Sequence, residues 1–528
     1  MKKQYINLKG CLLFATCLVA MEVGAQGFSP AALEQLKAQR LWMKTQNAAG
    51  MAFDDVQNYS DVKFNYNLQD GNFMRPQEGE KESIIGVSSE GFINLGNAYV
   101  WGAFSFEQEN ISDAGYNCSI TDPFRGMPYY CIDENISDWR NQFYNLKFRA
   151  ATPVLKNHWT LGIEGTYMSS LAAKQVDPRI DTRVLTLELK PGVTYKINDN
   201  HKLGFTFVYT AIKEDSKGEQ KNIYKNQNFY QLYGLGTAIK DFSQYGIGSY
   251  NYYGDRFGGA LQYNFTTEAW NVLLEGSYSV KAESVEKGYE YPNLLGSVKD
   301  KLTEITLNAI RKGDNYTHYI TADYQNRNID GYQYNLEYDD SGDSFLGWME
   351  INRNIRSTYE TTAASFNYAI AKNRDAEYSW KVELGVDYLK QDDEYLMPNS
   401  VKNYENVTFN LGLKKNFVLG NSMNRRLLLD IHAAYNNNID GEYIFDKDKL
   451  FNEDKRECIS VTGLEQGLLN YYTSDYYRIG GSLTYSQQVK EDANINMFAK
   501  LAFDRKNNKS DYKFDNRTYL TVSLGCNF

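Results

Sequence analysis

The last twelve residues constrain this chain most. From Arg517 to Phe528 it reads R-T-Y-L-T-V-S-L-G-C-N-F, and Leu520, Val522, Leu524, Cys526 and Phe528 alternate with Thr521, Ser523, Gly525 and Asn527. Side chains spaced by two residues share one face of a strand. One face is therefore continuously apolar at a chain end, where fraying is the rule. A terminal strand of this kind fits a transmembrane β-barrel that closes on itself, removing its own edges and turning the apolar face to lipid.

The terminal Phe, with apolar residues at every second position before it, also resembles the assembly signal of bacterial outer-membrane proteins. The other end of the chain reads as a secretory signal: Lys2, Lys3 and Lys9 precede an apolar run from Cys11 to Met21, and Val23-Gly24-Ala25 is a small-residue cleavage site. Thr16 before Cys17 does not suit a lipoprotein cut, so no lipid anchor is expected. The net charge is −10, and residues 1–25 carry three Lys and one Glu, so the chain after cleavage is near −12. That balance speaks against nucleic acid as a partner. Bacterial outer membrane is the expected location, with membrane lipid and lipopolysaccharide as surroundings.

No later run of apolar residues reaches the ~18 that a membrane helix needs. The mean hydropathy of −0.56 looks soluble. It is also what a barrel gives when only alternate residues meet lipid. The 43 Tyr against 9 Pro point the same way, since Tyr suits strands and interfacial girdles and Pro is excluded from ladders.

After residue 58 the chain alternates short turns with long polar loops. Turns fall at Gly96-Asn97, Pro153 to His158, Asn198 to Asn200, Thr267-Glu268, Gly313 to Asn315, Lys372 to Arg374, Gly420 to Ser422 and Lys490 to Asp492. Long loops are expected over 111–138, 215–249, 284–297, 331–352, 392–402 and 438–470. This asymmetry predicts an all-β, up-and-down antiparallel barrel of about 18 strands, with 14 to 18 acceptable, covering residues 58–528. Aromatics recur eight residues apart on the inferred outer face: Trp159 and Tyr167, Trp270 and Tyr278, Tyr316 and Tyr324, Trp380 and Tyr388. Eight residues at ~3.3 Å each, tilted ~40°, project to about 20 Å, close to an apolar band ~25 Å tall.

Residues 26–57 differ. Ser29-Pro30 is a helix start, Ala31 to Gln46 reads as a helix carrying Leu33, Leu36 and Leu41, and Asn47-Ala48-Ala49-Gly50 ends it. The segment is either a periplasmic extension or a plug in the barrel mouth. A helix followed by Asn47, Ala48, Ala49 and Gly50 resembles the amino-terminal hatch of long-chain fatty-acid transporters. The whole chain, with L-W-M-K-T-Q-N-A-A-G at Leu41 to Gly50 and Tyr-rich strands, is similar to a Bacteroidota family of outer-membrane barrels without assigned function. That resemblance implies a TonB-dependent receptor or surface lipoproteins as neighbours, and no functional residue.

Strand parity points Glu90, Glu107, Lys147, Arg149, Glu164, Glu188, Arg256, Glu275, Asp323, Lys381, Glu383, Asp387, Asp430, His432, Lys500 and Asp504 inward. Charges at membrane depth must face water or an opposite charge. They either brace a filled lumen or line an aqueous path. Of the four His, only His432 points inward, beside Asp430. No G-x-S-x-G accompanies it, and no C-x-x-C, H-E-x-x-H, P-loop or dinucleotide fingerprint appears, so neither an enzyme nor a cofactor or metal is expected. Asp339-Asp340 and Asp392-Asp393 loosely resemble the carboxylate pairs of outer-membrane aspartyl proteases; solvated surface is the plainer reading. Cys118 and Cys131 bracket a short polar stretch outside any strand and are a candidate disulfide. Cys458 and Cys526 are not expected to pair. The Tyr residues of the long loops either bind sugars or a partner, or pack together over the mouth. These features suggest a channel or transport component for small polar solutes or glycan fragments. The alternatives are a non-conducting accessory barrel and a barrel for hydrophobic compounds.

Overall fold

A computed structural model describes residues 27–133, 135–222, 224, 228–241, 248–288, 292–339, 347–420, 424–446, 458–489, 494–510 and 512–528. The signal segment 1–25, Asp340, the turn residues Asn421-Ser422 and Lys490 to Asp492, and loop residues Tyr245, Tyr289 and Tyr291 lie outside the described residues, as does the side chain of Cys458.

The strands are β1 (Tyr59–Asp70), β2 (Lys81–Asn94), β3 (Tyr99–Ala114), β4 (Cys131–Asp133), β5 (Ser137–Ala151), β6 (Trp159–Lys174), β7 (Arg179–Lys196), β8 (His201–Glu219), β9 (Phe229–Gly234), β10 (Thr237–Asp241) and β11 (Gly248–Thr266). They continue with β12 (Trp270–Lys287), β13 (Asn293–Lys312), β14 (Tyr316–Asp339), β15 (Gly347–Arg374), β16 (Glu377–Leu396), β17 (Asn399–Val418), β18 (Arg426–Phe445), β19 (Cys458–Ser460), β20 (Tyr476–Gln488), β21 (Asn496–Asn508) and β22 (Asn516–Asn527). All but β4, β9, β10 and β19 form one 18-stranded sheet, each strand antiparallel to its neighbours in chain order. The sheet closes where β22 pairs with β1, Leu524 opposite Phe64, and Phe528 exchanges backbone hydrogen bonds with Ser60.

Alternation along the strands sorts the side chains. On β22, Val522 and Leu524 are exposed on the outer wall while Ser523 and Asn527 are buried inside. Leu161, Leu261, Phe366 and Leu411 are likewise exposed outward. An apolar belt this continuous belongs against hydrocarbon, and the fold is that of a transmembrane barrel. Six of the eight aromatics at eight-residue spacing are exposed; Trp380 and Tyr388 are half-buried. Trp380 stands 5.9 Å from the ring of Tyr316 on the adjacent outer face.

Three expectations shift. Most of residues 331–352 is paired strand rather than loop, since β14 runs to Asp339 and β15 starts at Gly347. Residues 392–402 are not a long loop: β16 and β17 run on to a tight turn at Met397-Pro398. The turn expected at Lys372 to Arg374 lies at Asp375-Ala376. Beyond the apolar belt the outer face is polar too, and the buried inner face of β16 and β17 carries Asp393, Ser400 and Lys402, so the alternation fades while backbone pairing continues.

The long loops do not simply hang outside. β4, β9, β10 and β19 form a second, four-stranded antiparallel sheet. A helix, α2 (Thr462–Tyr472), follows β19. This cap packs on the inner wall: Cys118, Ile120, Tyr129, Ile132, Phe229 and Leu464 share one buried cluster with Tyr250, Tyr252, Val298 and Ile329 of the strands. The loop tyrosines Tyr129, Tyr130, Tyr230, Tyr250 and Tyr252 are buried. Cys131 lies in β4 rather than outside a strand, its sulfur 3.3 Å from that of Cys118, both as thiols. The hairpin tip between β9 and β10 runs through Gly234 (φ +134°) and Gly236 (φ +87°), a left-handed path that glycine adopts without strain.

Candidate functional site

The inward side chains meet residues 27–57 at the end of the barrel where the short turns lie. Ser29 caps α1 (Pro30–Gln39), accepting a hydrogen bond from Ala32 N at 3.2 Å, and Pro30 occupies the first turn. The helix stops at Gln39, short of the expected Gln46. Leu33 and Leu36 pack toward Phe92 and Ala151, whereas Leu41 and Trp42 pack toward Leu273 and Ile310, so no single helix face could serve both. Asn47 then caps a 3₁₀ turn, Ala48–Phe53, accepting from Ala49 N at 3.0 Å. The N-A-A-G motif thus begins a turn rather than ending the helix.

Polar contacts tie this segment to strands all round the circumference. Arg149 of β5 donates to the carbonyls of Met43 (2.9 Å) and Thr45 (2.7 Å). The same guanidinium pairs with Glu164 at 2.5 Å. Glu164 also faces Lys147 at 2.9 Å and Lys190 at 3.6 Å, and Lys190 reaches Glu188 at 2.7 Å. Glu275 of β12 accepts from Gln46 N at 3.0 Å and from Gln262 at 2.7 Å. Asn47 Nδ2 donates to Gln262 Oε1 at 3.0 Å and to the Val193 carbonyl at 3.1 Å. Thr160 of β6 donates to Ala49 O at 2.9 Å.

On the opposite wall Glu34 lies 3.1 Å from Lys381 and 2.9 Å from Lys414, and accepts from Tyr378 at 2.8 Å. Lys381 also meets Glu383 at 2.5 Å. Burial would raise the Glu34 carboxyl, but Lys414 and Lys381 outweigh it and hold it below its ordinary value. Lys37 pairs with Glu90 of β2 and lies 3.7 Å from Asp61 of β1.

Four of the sequence candidates, Glu90, Arg149, Glu275 and Lys381, therefore touch the amino-terminal segment. Glu164 and Glu383 are one contact behind, Lys147 follows through Glu164, and Glu188 follows through Lys190 and Glu164. The rest stand apart. Arg256 donates to Asp300 at 2.8 Å, within a network that continues through Lys281, Glu283 and Arg125 under the cap. Asp387 accepts from Asn410 at 2.6 Å. His432 Nε2 is 2.6 Å from Asp504, which Arg478 also meets at 2.9 Å, and Asp430 lies 3.6 Å away. Asp393 turns inward to Lys402 while Asp392 pairs with Lys390, so strand alternation separates the two carboxylates.

Sequence reasoning missed the partners on the segment, Glu34 and Lys37, and the glycines that seat it. A Cβ on Gly162 would lie 2.3 Å from Ala49 N, and one on Gly192 2.3 Å from Asn47 Oδ1. Gly162 and Gly192 face each other in register on β6 and β7. Two paired glycines on inward positions were the available signal, since glycine in a strand marks close approach of another backbone.

A family profile matches residues 48–528, from the 3₁₀ turn to the final Phe. The chain belongs to the family of unknown function DUF6850. The family match thus takes in the turn that begins with Ala48 as well as every barrel strand. Among solved structures, the ferric preacinetobactin receptor BauA of Acinetobacter baumannii is similar at 8% identity and a TM-score of 0.39, over 90% of this chain and 80% of that one. The ferric yersiniabactin uptake receptor FyuA of Yersinia pestis gives 8% and 0.40, over 90% and 80%. The outer-membrane protein OpdK of Pseudomonas aeruginosa gives 11% and 0.35, over 89% and 99%. No curated protein matches this chain.

Proposed function

We propose that this protein is an outer-membrane transport barrel for a small polar solute, held closed at its periplasmic end by residues 27–57 as a plug. One observation carries the reading: a segment of about thirty residues is joined to strands on every side of the barrel, by polar contacts and by several small apolar clusters. These polar groups are buried, but a departing segment admits water that replaces its bonds, so each contributes only about 0.5–3 kcal/mol net to keeping the plug in place. The inward charges have mixed signs and make no strong anion or cation filter. In the oxidising envelope compartment Cys118 and Cys131 would form a disulfide, stapling the loop that carries Tyr129.

The test is single-channel conductance of the purified protein in planar bilayers, in four forms: intact, lacking residues 27–57, Arg149→Ala, and a control Arg183→Ala on an exposed position of β7. The intact chain and the control should be silent or flicker rarely. The deletion should conduct steadily, and Arg149→Ala should open intermittently. Silence in every form removes the transport reading. It favours instead a non-conducting accessory barrel beside an uptake receptor or surface lipoproteins, a second reading supported by the tightly packed cap at the other mouth.

A further inference from the structure

Between the cap and the inner faces of β14 to β17 lies a cavity of about 220 Å³. It far exceeds the 10–15 Å³ that admits one water, and falls below the ~300–1,000 Å³ of pockets for drug-sized molecules. It has room for one small ring. Residues 123–130 and α2 form one side, and the strands the other.

Its lining combines two chemistries. Aromatic rings supply the first: Tyr404 and Tyr472 stack with centroids 4.5 Å apart and planes at 3°, and Tyr130 and Tyr359 also line the cavity. The second is a run of buried polar side chains. Lys402 Nζ lies 2.7 Å from Glu465 and 3.3 Å from Asp393, and Gln391 donates to Asp393. Arg327 also borders the cavity and is held by Asp300 at 3.0 Å.

The pairing of charges selects the ligand. Each cation in the lining already has a carboxylate, so the wall is balanced, and an ionic guest would have to break a buried pair at a cost of several kcal/mol. An apolar guest would strip water from Gln391, Asp393 and Glu465 and return no hydrogen bonds. A neutral molecule with one apolar face and a rim of hydroxyls meets both demands: its C–H face lies on the electron-rich face of an aromatic ring and its hydroxyls bond the polar run. We infer that this cavity is a binding subsite for a single neutral pyranose sugar unit. The inference deepens and rests on the reading of the barrel as a solute-handling protein.

Equilibrium dialysis of the detergent-purified full chain tests it, with radiolabelled glucose, galactose, mannose and N-acetylglucosamine as probes, and glucuronate and glucosamine as charged counterparts. At least one neutral sugar should bind saturably, with the charged ones about tenfold weaker or worse. Leu468→Trp, which fills the cavity from α2, should weaken that binding about tenfold, as should the smaller change Gln391→Leu if the first variant does not fold. No saturable neutral sugar, equal binding of the charged sugars, or binding indifferent to both folded variants overturns the inference. Sugar binding by a chain that never conducts, with or without residues 27–57, keeps the subsite and sinks the transport reading instead.

Discussion

Two bodies fill the barrel, and they are held by different mixtures of the same means: both have buried apolar clusters and buried ion pairs, but the cap has the larger core. The amino-terminal segment is seated over Gly162 and Gly192 and fastened by carbonyls, amides and ion pairs. The cap is seated over Gly296 and Gly331, where a Cβ would lie 2.4 Å from the Tyr129 ring and 2.8 Å from its hydroxyl, and is fastened by a buried aromatic and aliphatic cluster. The wall makes room for both in the same way. The balance differs because the cap is three loops with enough large side chains to build one core, whereas the segment is one short stretch whose apolar side chains divide among small clusters against separate strands. On the proposed reading the segment is the part that moves and the cap the part that stays, because the segment's share of exchangeable polar contacts is the larger.

The largest effect should come from the cap. Tyr129→Ala removes a fully buried ring and should cost about 3–5 kcal/mol. Hydrogen exchange should accelerate over residues 115–133 and 229–239 while residues 30–53 keep their protection. Loosening of both bodies together would break the comparison and make the interior one cooperative unit.

A smaller effect is expected from Asn47→Ala, which removes the cap on Ala49 N and the bonds to Gln262 and Val193. It should cost about 1–3 kcal/mol, read as faster exchange or protease cutting in residues 40–54 with the cap unchanged. An unaltered segment would show that its apolar contacts at Leu41 and Trp42 dominate.

The smallest effect concerns pH. Lys414 and Lys381 favour the ionised form of Glu34 in the docked state, so its contribution is complete above the ordinary Glu value of ~4.3 and is lost as pH falls through its lowered folded value. Segment protection should therefore weaken on acidification below about pH 4, and Glu34→Gln should flatten that dependence. An acid response below about pH 4 that is the same in Glu34→Gln would contradict the ion-pair account; burial raises the Asp54 carboxyl to about 7, which acts in the opposite direction at higher pH and is common to both forms.

Much of the barrel was legible from residue order, because a period of two is a local property. The outer face of β22 could be read from Leu520 to Phe528 alone, and the aromatic spacing on β6, β12 and β14 located the belt. The reading failed where the pattern lost its cause. Residues 392–402 are strand, yet their buried inner face is largely polar, Asp393, Ser400 and Lys402 among it, so their polarity resembles a loop. The apolar spacing carries the helix from Ala31 past its end because Leu41 continues it, and only the separate packing sites of Leu36 and Trp42 end it at Gln39. The loop tyrosines allowed two readings, binding surface or packed cap, since a tyrosine serves either and nothing local distinguishes them.

What the sequence by itself determined was the closed antiparallel barrel, its outward apolar face and the alternation of short and long connections. Each follows from side-chain character at neighbouring positions. Only the tertiary structure decided what fills the barrel. Arg149 meets Thr45, Lys414 meets Glu34, and Tyr129 meets Gly296 across separations that no periodicity encodes. An inward charge carries the same letter whether it faces water or a plug, and its partner is chosen by the closing of the barrel around it.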